Sequence, residues 1–387
     1  MNTTDNEKKR VPKRIVLFVG ICLAILSASL IKKDVEYSSF ENRTMQFFRW
    51  PDVNSVLSGE WFEVFETYNL DQVIGRDLLV EINTHILRAL GKRQIDRITA
   101  CDDDTLLIIS YDFPQPARVG DPFTENVLIP LKDATASYGG QFYYMNIYPR
   151  DVYFWNSFPY HKDETVDDYH AANDEDMRDL NGKGILSVDT YGITEEHSDE
   201  YLFFKSDHHY TYKGAYYSYL KLLDVINANN PDKEPLSFPE WEKMDHFRPE
   251  GKFWGSLVSH LGDPGYKNTD FLEYALPKDY PDEYTRYEFG EPSDMPLIRQ
   301  DETTEYGFFM NGDYGNTVVK TNRPDRPSIL IIGKSCTDAL EVMAVYDFNE
   351  MHSIDPRMFE NNITAYTEYI KNAKCDYVVV QDIFEME

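Results

Sequence analysis

The sequence predicts an α/β fold built on a mainly parallel central sheet. Three observations carry this. Four short runs, Leu106–Ser110 (LLIIS), Gln141–Tyr148 (QFYYMNIY), Ser328–Ile332 (SILII) and Tyr377–Val380 (YVVV), are apolar or aromatic at nearly every position. That is the pattern of strands buried on both faces. Helical stretches at Ala215–Asn229, Asp338–Tyr346 and Asn362–Lys374 alternate with such runs, as crossover connections require. The third observation is size: 387 residues, 42% hydrophobic and 14% aromatic, suffice for one large or two ordinary domains and exclude wholesale disorder.

The elements follow in chain order. Residues 1–33 hold seven basic side chains (Lys8, Lys9, Arg10, Lys13, Arg14, Lys32, Lys33) and two acids (Asp5, Glu7). Between Arg14 and Lys32 lies an uncharged run of 17 residues, IVLFVGICLAILSASLI. As a helix rising about 1.5 Å per residue it reaches roughly 25 Å, near the lower limit for spanning a bilayer. A basic cluster before such a run marks a secretory signal or an anchor. Ser27-Ala28-Ser29 would permit cleavage, and Lys32-Lys33 suits a helix end at the headgroups. An uncleaved anchor over residues 15–31 is the preferred expectation over cleavage or a buried core helix. Residues 1–14 are then cytoplasmic and the body extracytoplasmic.

Residues 32–59 read as a connector, extended and polar from residue 34. Residues 60–91 show helical apolar spacing with a break near Gly75. The acidic stretch Asp163–Asp179 reads as a solvated loop; its spacing does not match an EF-hand calcium loop. Residues 230–327, rich in Pro, Gly, Asp and Tyr, read as an irregular insertion beside the sheet.

The formal net charge is −29. The N-terminal 33 residues contribute +5, so the rest carries −34. This argues against a nucleic-acid partner, since little would neutralise phosphates. The four cysteines (Cys22, Cys101, Cys336, Cys375) lack metal-type spacing and are too few for a disulfide scaffold.

Two segments carry chemistry. In Phe203–Ala215 (FFKSDHHYTYKGA) an Asp adjoins two His. If that segment is extended, Asp207 and His209 share a face and His208 points away. A carboxylate holding His209 would fix its tautomer and support a general base. Thr211 is placed to N-cap the helix that follows. Structural histidines or a metal site are the alternatives. In Ser328–Leu340 (SILIIGKSCTDAL) a strand meets Gly333, then Ser335, then a helix. A serine there lies at the carboxyl end of a strand and at a helix N-terminus, whose N–H groups favour an oxyanion. Ser335 is the candidate nucleophile; Cys336 is its rival, and a plain turn with an N-cap serine is the bland alternative.

The ordered set of segments resembles the DHHW family, a branch of SGNH-hydrolase-like proteins similar to alginate O-acetyltransferases. The resemblance runs through Ser39–Arg43 (SFENR), Gly59, Leu70–Asp77 (LDQVIGRD), Ser206–Ala215 (SDHHYTYKGA), Gly333–Ser335 (GKS), Ile354–Arg357 (IDPR) and the C-terminal CDYVVVQDIFE. It covers most of residues 38–387. Tyr210 stands where Trp is usual, Lys334 where many relatives have Asp, and Cys336 where an aromatic is common. Tyr148-Pro149-Arg150 resembles a family segment near the site, with packing as its expected role.

The resemblance implies a three-layer α/β/α fold over residues 60–387 and a triad of Ser335 (nucleophile), His209 (base) and Asp207 (its orienting acid). It also implies action on acetyl esters of polysaccharide and needs neither metal nor cofactor. The expected function is a bacterial, single-pass, extracytoplasmic O-acetyltransferase or acetylesterase. Its acceptor would be a polysaccharide, and a multispanning membrane acyltransferase would supply the acetyl group. Trp61, Trp155, Trp241 and Trp254 are candidate sugar-stacking surfaces. The alternatives are an inactive glycan-binding or scaffold protein of a polysaccharide export complex, and a metal-dependent phosphoesterase using Asp102–Asp104.

Overall fold

In the computed structural model, residues 13–38, 43–108, 121–160, 165–263, 265–267, 269–299, 305–360 and 362–381 are described. Two compact units emerge, one from residues up to Asp96 with Val258–Tyr266, the other from Arg97–Leu257 with Lys267 onward. Residues 60–96, expected with the α/β body, thus belong to the first unit.

The first unit is helical. Helix α1 (Lys13–Ile31) covers the uncharged run, with Leu17, Phe18 and Leu23 largely exposed. Among the described residues no helix is long and apolar enough to cross a membrane. The connector is not wholly extended. Asp52 caps α2 (Val53–Ser58) through a reciprocal bond with Ser55, and Gly59, at φ 90°, turns the chain into α3 (Glu60–Asp71). The break near Gly75 is present: Gly75 takes φ 69° before α4 (Arg76–Ala89). Gln72 holds the end of α1, its Oε1 accepting from Lys32 Nζ and Val35 N, both at 2.9 Å.

The second unit carries an eight-stranded sheet. Its strands are β1 (Gln141–Met145), β2 (Leu186–Val188), β3 (Thr285–Glu288), β4 (Glu291–Ser293), β5 (Thr317–Lys320), β6 (Ser328–Ile332), β7 (Glu350–Ile354) and β8 (Tyr377–Gln381). They lie in the order β4-β3-β5-β7-β6-β8-β1-β2. The five from β7 to β2 are parallel, and β5, β3 and β4 add antiparallel. The region read as an irregular insertion therefore supplies three strands of the sheet itself. Leu106–Ile108 pairs instead with Ile98–Ala100, in a small antiparallel sheet. Residues 109–110 of that run, residues 39–42 of the SFENR segment, residues 163–164, and residues 382–385 of the C-terminal segment lie outside the described residues.

Side-chain alternation makes three layers. Tyr143, Met145, Ile329, Ile331 and Val379 pack on one face with α7 (Tyr212–Ala228) and α8 (Asp338–Asp347). Phe142, Tyr144, Leu330, Ile332, Val378 and Val380 pack on the other with α5 (Ile129–Ala136), α6 (Val166–Gly182) and α9 (Ile363–Ala373). Helix α6 corrects the reading of Asp163–Asp179 as a loop. Tyr169, Asn173, Met177 and Leu180 recur at helical spacing and are buried. Such a stripe lets the intervening acids face water, and Thr165 caps the first turn.

Candidate active site

Strand β6 ends at Ile332, Gly333 follows, and Ser335–Thr337 form one 3₁₀ turn leading into α8. A Cβ at 333 would stand 2.3 Å from Thr337 Cγ2, so any larger residue would have to displace the Thr337 side chain. Ser335 is thus carried at the carboxyl end of the parallel sheet, where α/β folds place their sites.

Asp207 and His209 come from a tight loop, not an extended strand. Phe203 bridges to Tyr210, so residues 204–209 turn back on themselves. Asp207 Oδ1 accepts the His209 backbone N–H at 3.0 Å, an Asx-type turn. The same oxygen lies 2.5 Å from His209 Nδ1. On the other side of the ring, His209 Nε2 lies 2.8 Å from Ser335 Oγ. The three expected residues therefore meet in one chain of contacts. Thr211 caps α7 as expected, accepting from Gly214 N at 3.2 Å.

Around this line the fold closes tightly. Asp207 and His209 are 3% and 5% exposed, while Ser335 is half-buried. Asp207 Oδ2 accepts the Ser256 backbone N–H at 2.7 Å. Burial alone would raise the Asp207 carboxyl, but the facing His209 and its hydrogen bond, with His208 and Ser256 N, hold it well below the usual carboxylate range. The charged form of Asp207 is therefore the favoured one. The loop backbone is latched by Asp270, which accepts from Lys205 N (3.0 Å), Ser206 N (2.7 Å) and Ser206 Oγ (2.5 Å). Arg150, 5% exposed, donates Nε to Phe204 O at 2.6 Å and also binds Lys205 O. This is the packing role read for the Tyr148-Pro149-Arg150 segment.

Tyr210 joins the two halves of the site, its hydroxyl donating to the Cys336 carbonyl. Behind the serine turn lie two buried acids of α8, Asp338 and Glu341. Burial, then the neighbouring Glu341, pushes Asp338 well above the usual carboxyl value. Burial also pushes Glu341 up to about 7, against hydrogen bonds from Thr337 (2.6 Å) and Ser353 (2.7 Å).

Asp207, His208 and His209 are the one group among the described residues whose ligand atoms have metal-site spacing. Both Asp207 oxygens, however, already accept protein donors. Asp102–Asp104 are not part of that group; Asp103 instead accepts from Ser157 Oγ at 2.8 Å. Trp155, 4% exposed, is buried, which removes it as a sugar-stacking surface; Trp241, 9% exposed, still lines an open cavity beside Lys213 and Glu273, and Trp61 and Trp254 are half-buried.

Sequence reasoning missed Ser256, Asp270 and Tyr306. The first acts through its backbone N–H, which leaves no residue-type signal. Tyr306 packs its ring on His209 from within the stretch read as irregular.

No family model matches the chain, and no curated protein matches it. Among solved structures it is similar to a DHHW family protein from Eubacterium siraeum, with TM-score 0.54 and 20% identity, covering 74% of this chain and 91% of that one. It is also similar to PatB1 of Bacillus cereus. With its sulfonyl adduct PatB1 gives TM-score 0.56 at 16% identity, covering 73% of this chain and 93% of that one. Without it the values are 0.55, 17%, 75% and 99%. The chain thus shares its fold with a DHHW family protein and with PatB1.

Proposed function

We propose that this chain is an extracytoplasmic serine-dependent O-acetyltransferase or acetylesterase acting on polysaccharide. The observation that carries the reading is the contact line Asp207–His209–Ser335, at 2.5 and 2.8 Å, on the carboxyl edge of the sheet. Nucleophilic acyl transfer needs this order of groups: a hydroxyl, a base within hydrogen-bond reach, and a third group orienting the base.

The steps follow from the geometry. Ser335 Oγ attacks the acyl carbonyl while its proton passes to His209 Nε2. Asp207, accepting from Nδ1, fixes the tautomer and stabilises the imidazolium that forms. The tetrahedral oxyanion collapses, and the leaving oxygen takes the proton from Nε2. An acceptor hydroxyl then gives its proton to Nε2 and attacks the acyl-serine, and Ser335 Oγ departs with that proton. Water in place of the sugar hydroxyl gives esterase action, so transfer requires a site that excludes water and orients the sugar.

The charge of −34 over residues 34–387 favours a neutral over a strongly anionic polysaccharide, within a screening length of about 8–10 Å. We also assign membrane attachment to α1, whose 17 uncharged residues follow a basic cluster; a multispanning acyltransferase would then be the acetyl donor. The test is hydrolysis of p-nitrophenyl acetate by the full chain in detergent. The expected outcome is that the wild type hydrolyses the ester and that Ser335→Ala and His209→Ala do not. Equal rates in all three would remove the triad assignment.

A further inference from the structure

The two hydrogen bonds of His209 run from opposite corners of its ring, Nδ1 to Asp207 and Nε2 to Ser335. They fix the ring's position along the line joining those partners. They resist poorly a tilt about that line, because hydrogen-bond wells are broad in angle. Only groups on the faces of the imidazole can stop such a tilt, and both faces are covered. Tyr306 stacks on one, with ring centroids 3.7 Å apart and planes within 4°. His208 covers the other at 3.8 Å and 36°, itself held through Nδ1 at 2.8 Å from Ser256 Oγ.

Tyr306 is well placed to act as a fixed plate. It is 4% exposed and meets Phe204 and Phe309 edge-on, at 6.3 and 5.5 Å. Phe204 is in turn stacked on Phe253 at 4.1 Å. Its hydroxyl is buried and has no hydrogen-bond partner among the described residues. A buried hydroxyl without a partner carries a desolvation penalty rather than a gain, so the part of this side chain that the site uses is the ring face, which has an evident partner.

We infer that Tyr306 is a positioning residue for His209: its ring holds the imidazole plane in line with Ser335, and its hydroxyl plays no part. The inference rests on the proposed role of His209 as base. The stack is also favourable to the imidazolium formed in the first step, since a π face attracts a cation.

The experiment compares wild type, Tyr306→Leu, Tyr306→Phe and Ser335→Ala as full chains in detergent, by kcat and KM on p-nitrophenyl acetate and by thermal melting. Tyr306→Leu should lower kcat by about tenfold to a hundredfold, the scale of a misplaced catalytic group, with KM held within about twofold. The conservative Tyr306→Phe should restore kcat to within about twofold of wild type. If Tyr306→Leu does not fold, Tyr306→Met takes its place with the same expected fall. A leucine or methionine variant that keeps its kcat overturns the inference, as does a phenylalanine variant that falls as far as leucine. An inert wild type, or a Ser335→Ala variant as active as wild type, instead overturns the reading of the site and the inference with it.

Discussion

His209 Nε2 and Ser335 Oγ stand 2.8 Å apart although 126 residues separate them in the chain. Each is brought to the meeting point by a different device. Ser335 rides on a strand-to-helix turn, and His209 on a loop held shut by the Phe203–Tyr210 bridge.

Removing Asp207's charge should disable the base without dissolving the site. Asp207→Asn keeps the shape but presents only one acceptor oxygen, where the structure needs two, for His209 and for Ser256 N. The amide NH₂ then faces one of these donors, and the His209 tautomer is no longer enforced. Ester hydrolysis should fall by about a thousandfold or more, read as kcat on a chromogenic acetyl ester. Retention of a tenth of the rate would exclude Asp207 from this role.

Gly255 should tolerate no side chain. A Cβ there would lie 2.0 Å from Ser206 O and 2.3 Å from Ser206 C. Relief of that overlap must shift either the Asp207 loop or Ser256, whose N–H holds Asp207. Gly255→Ala should cost about 1–3 kcal/mol of stability, as overpacking does, and lower activity further than its loss of stability explains. Urea unfolding and kcat on the same preparation measure both.

The buried Glu341 should make stability depend on pH in a definite direction. An unfolded Glu releases its proton near 4.5, the folded one at about 7. Between these values the folded state binds the extra proton, so this group's contribution to stability falls as pH rises, by about 1.4 kcal/mol per pH unit at most. Asp347, raised by burial to about 6, acts in the same sense. Glu341→Gln keeps acceptor capacity for Thr337 and Ser353 while removing the titration. Denaturant midpoints between pH 5 and 7.5 should decline less in this variant than in wild type; parallel declines would count against the assignment.

Attachment through α1 should be separable from catalysis. Val19 and Leu23 are exposed on the helix. A Val19→Lys/Leu23→Lys double variant should leave the membrane fraction for the soluble one, while p-nitrophenyl acetate hydrolysis in detergent stays within about twofold. An unchanged membrane fraction would mean that α1 is not the anchor.

Much of the α/β body was legible because buried parallel strands are continuous apolar runs, as in SILII and YVVV. The candidate triad was legible because Asp-His-His and Gly-x-Ser are unusual local patterns beside such runs. What misled was composition. The acids of Asp163–Asp179 hid a helix whose buried stripe is only Tyr169, Asn173, Met177 and Leu180. The polar, Pro- and Gly-rich stretch 230–327 hid β3, β4 and β5, since strands added antiparallel at a sheet edge need little apolar signal.

By itself the sequence determined the layered α/β class and the turn carrying Ser335, and it set Asp207 two residues from His209. These rest on local periodicity and on residues one or two positions apart. Only the tertiary structure decided that His209 reaches Ser335, that Ser256 N–H and Asp270 brace the loop, and that Tyr306 lies against the imidazole. Those contacts join segments far apart in the chain, through backbone groups or ring faces. Their partners are chosen by packing and loop closure, and neither leaves a pattern in a single stretch of sequence.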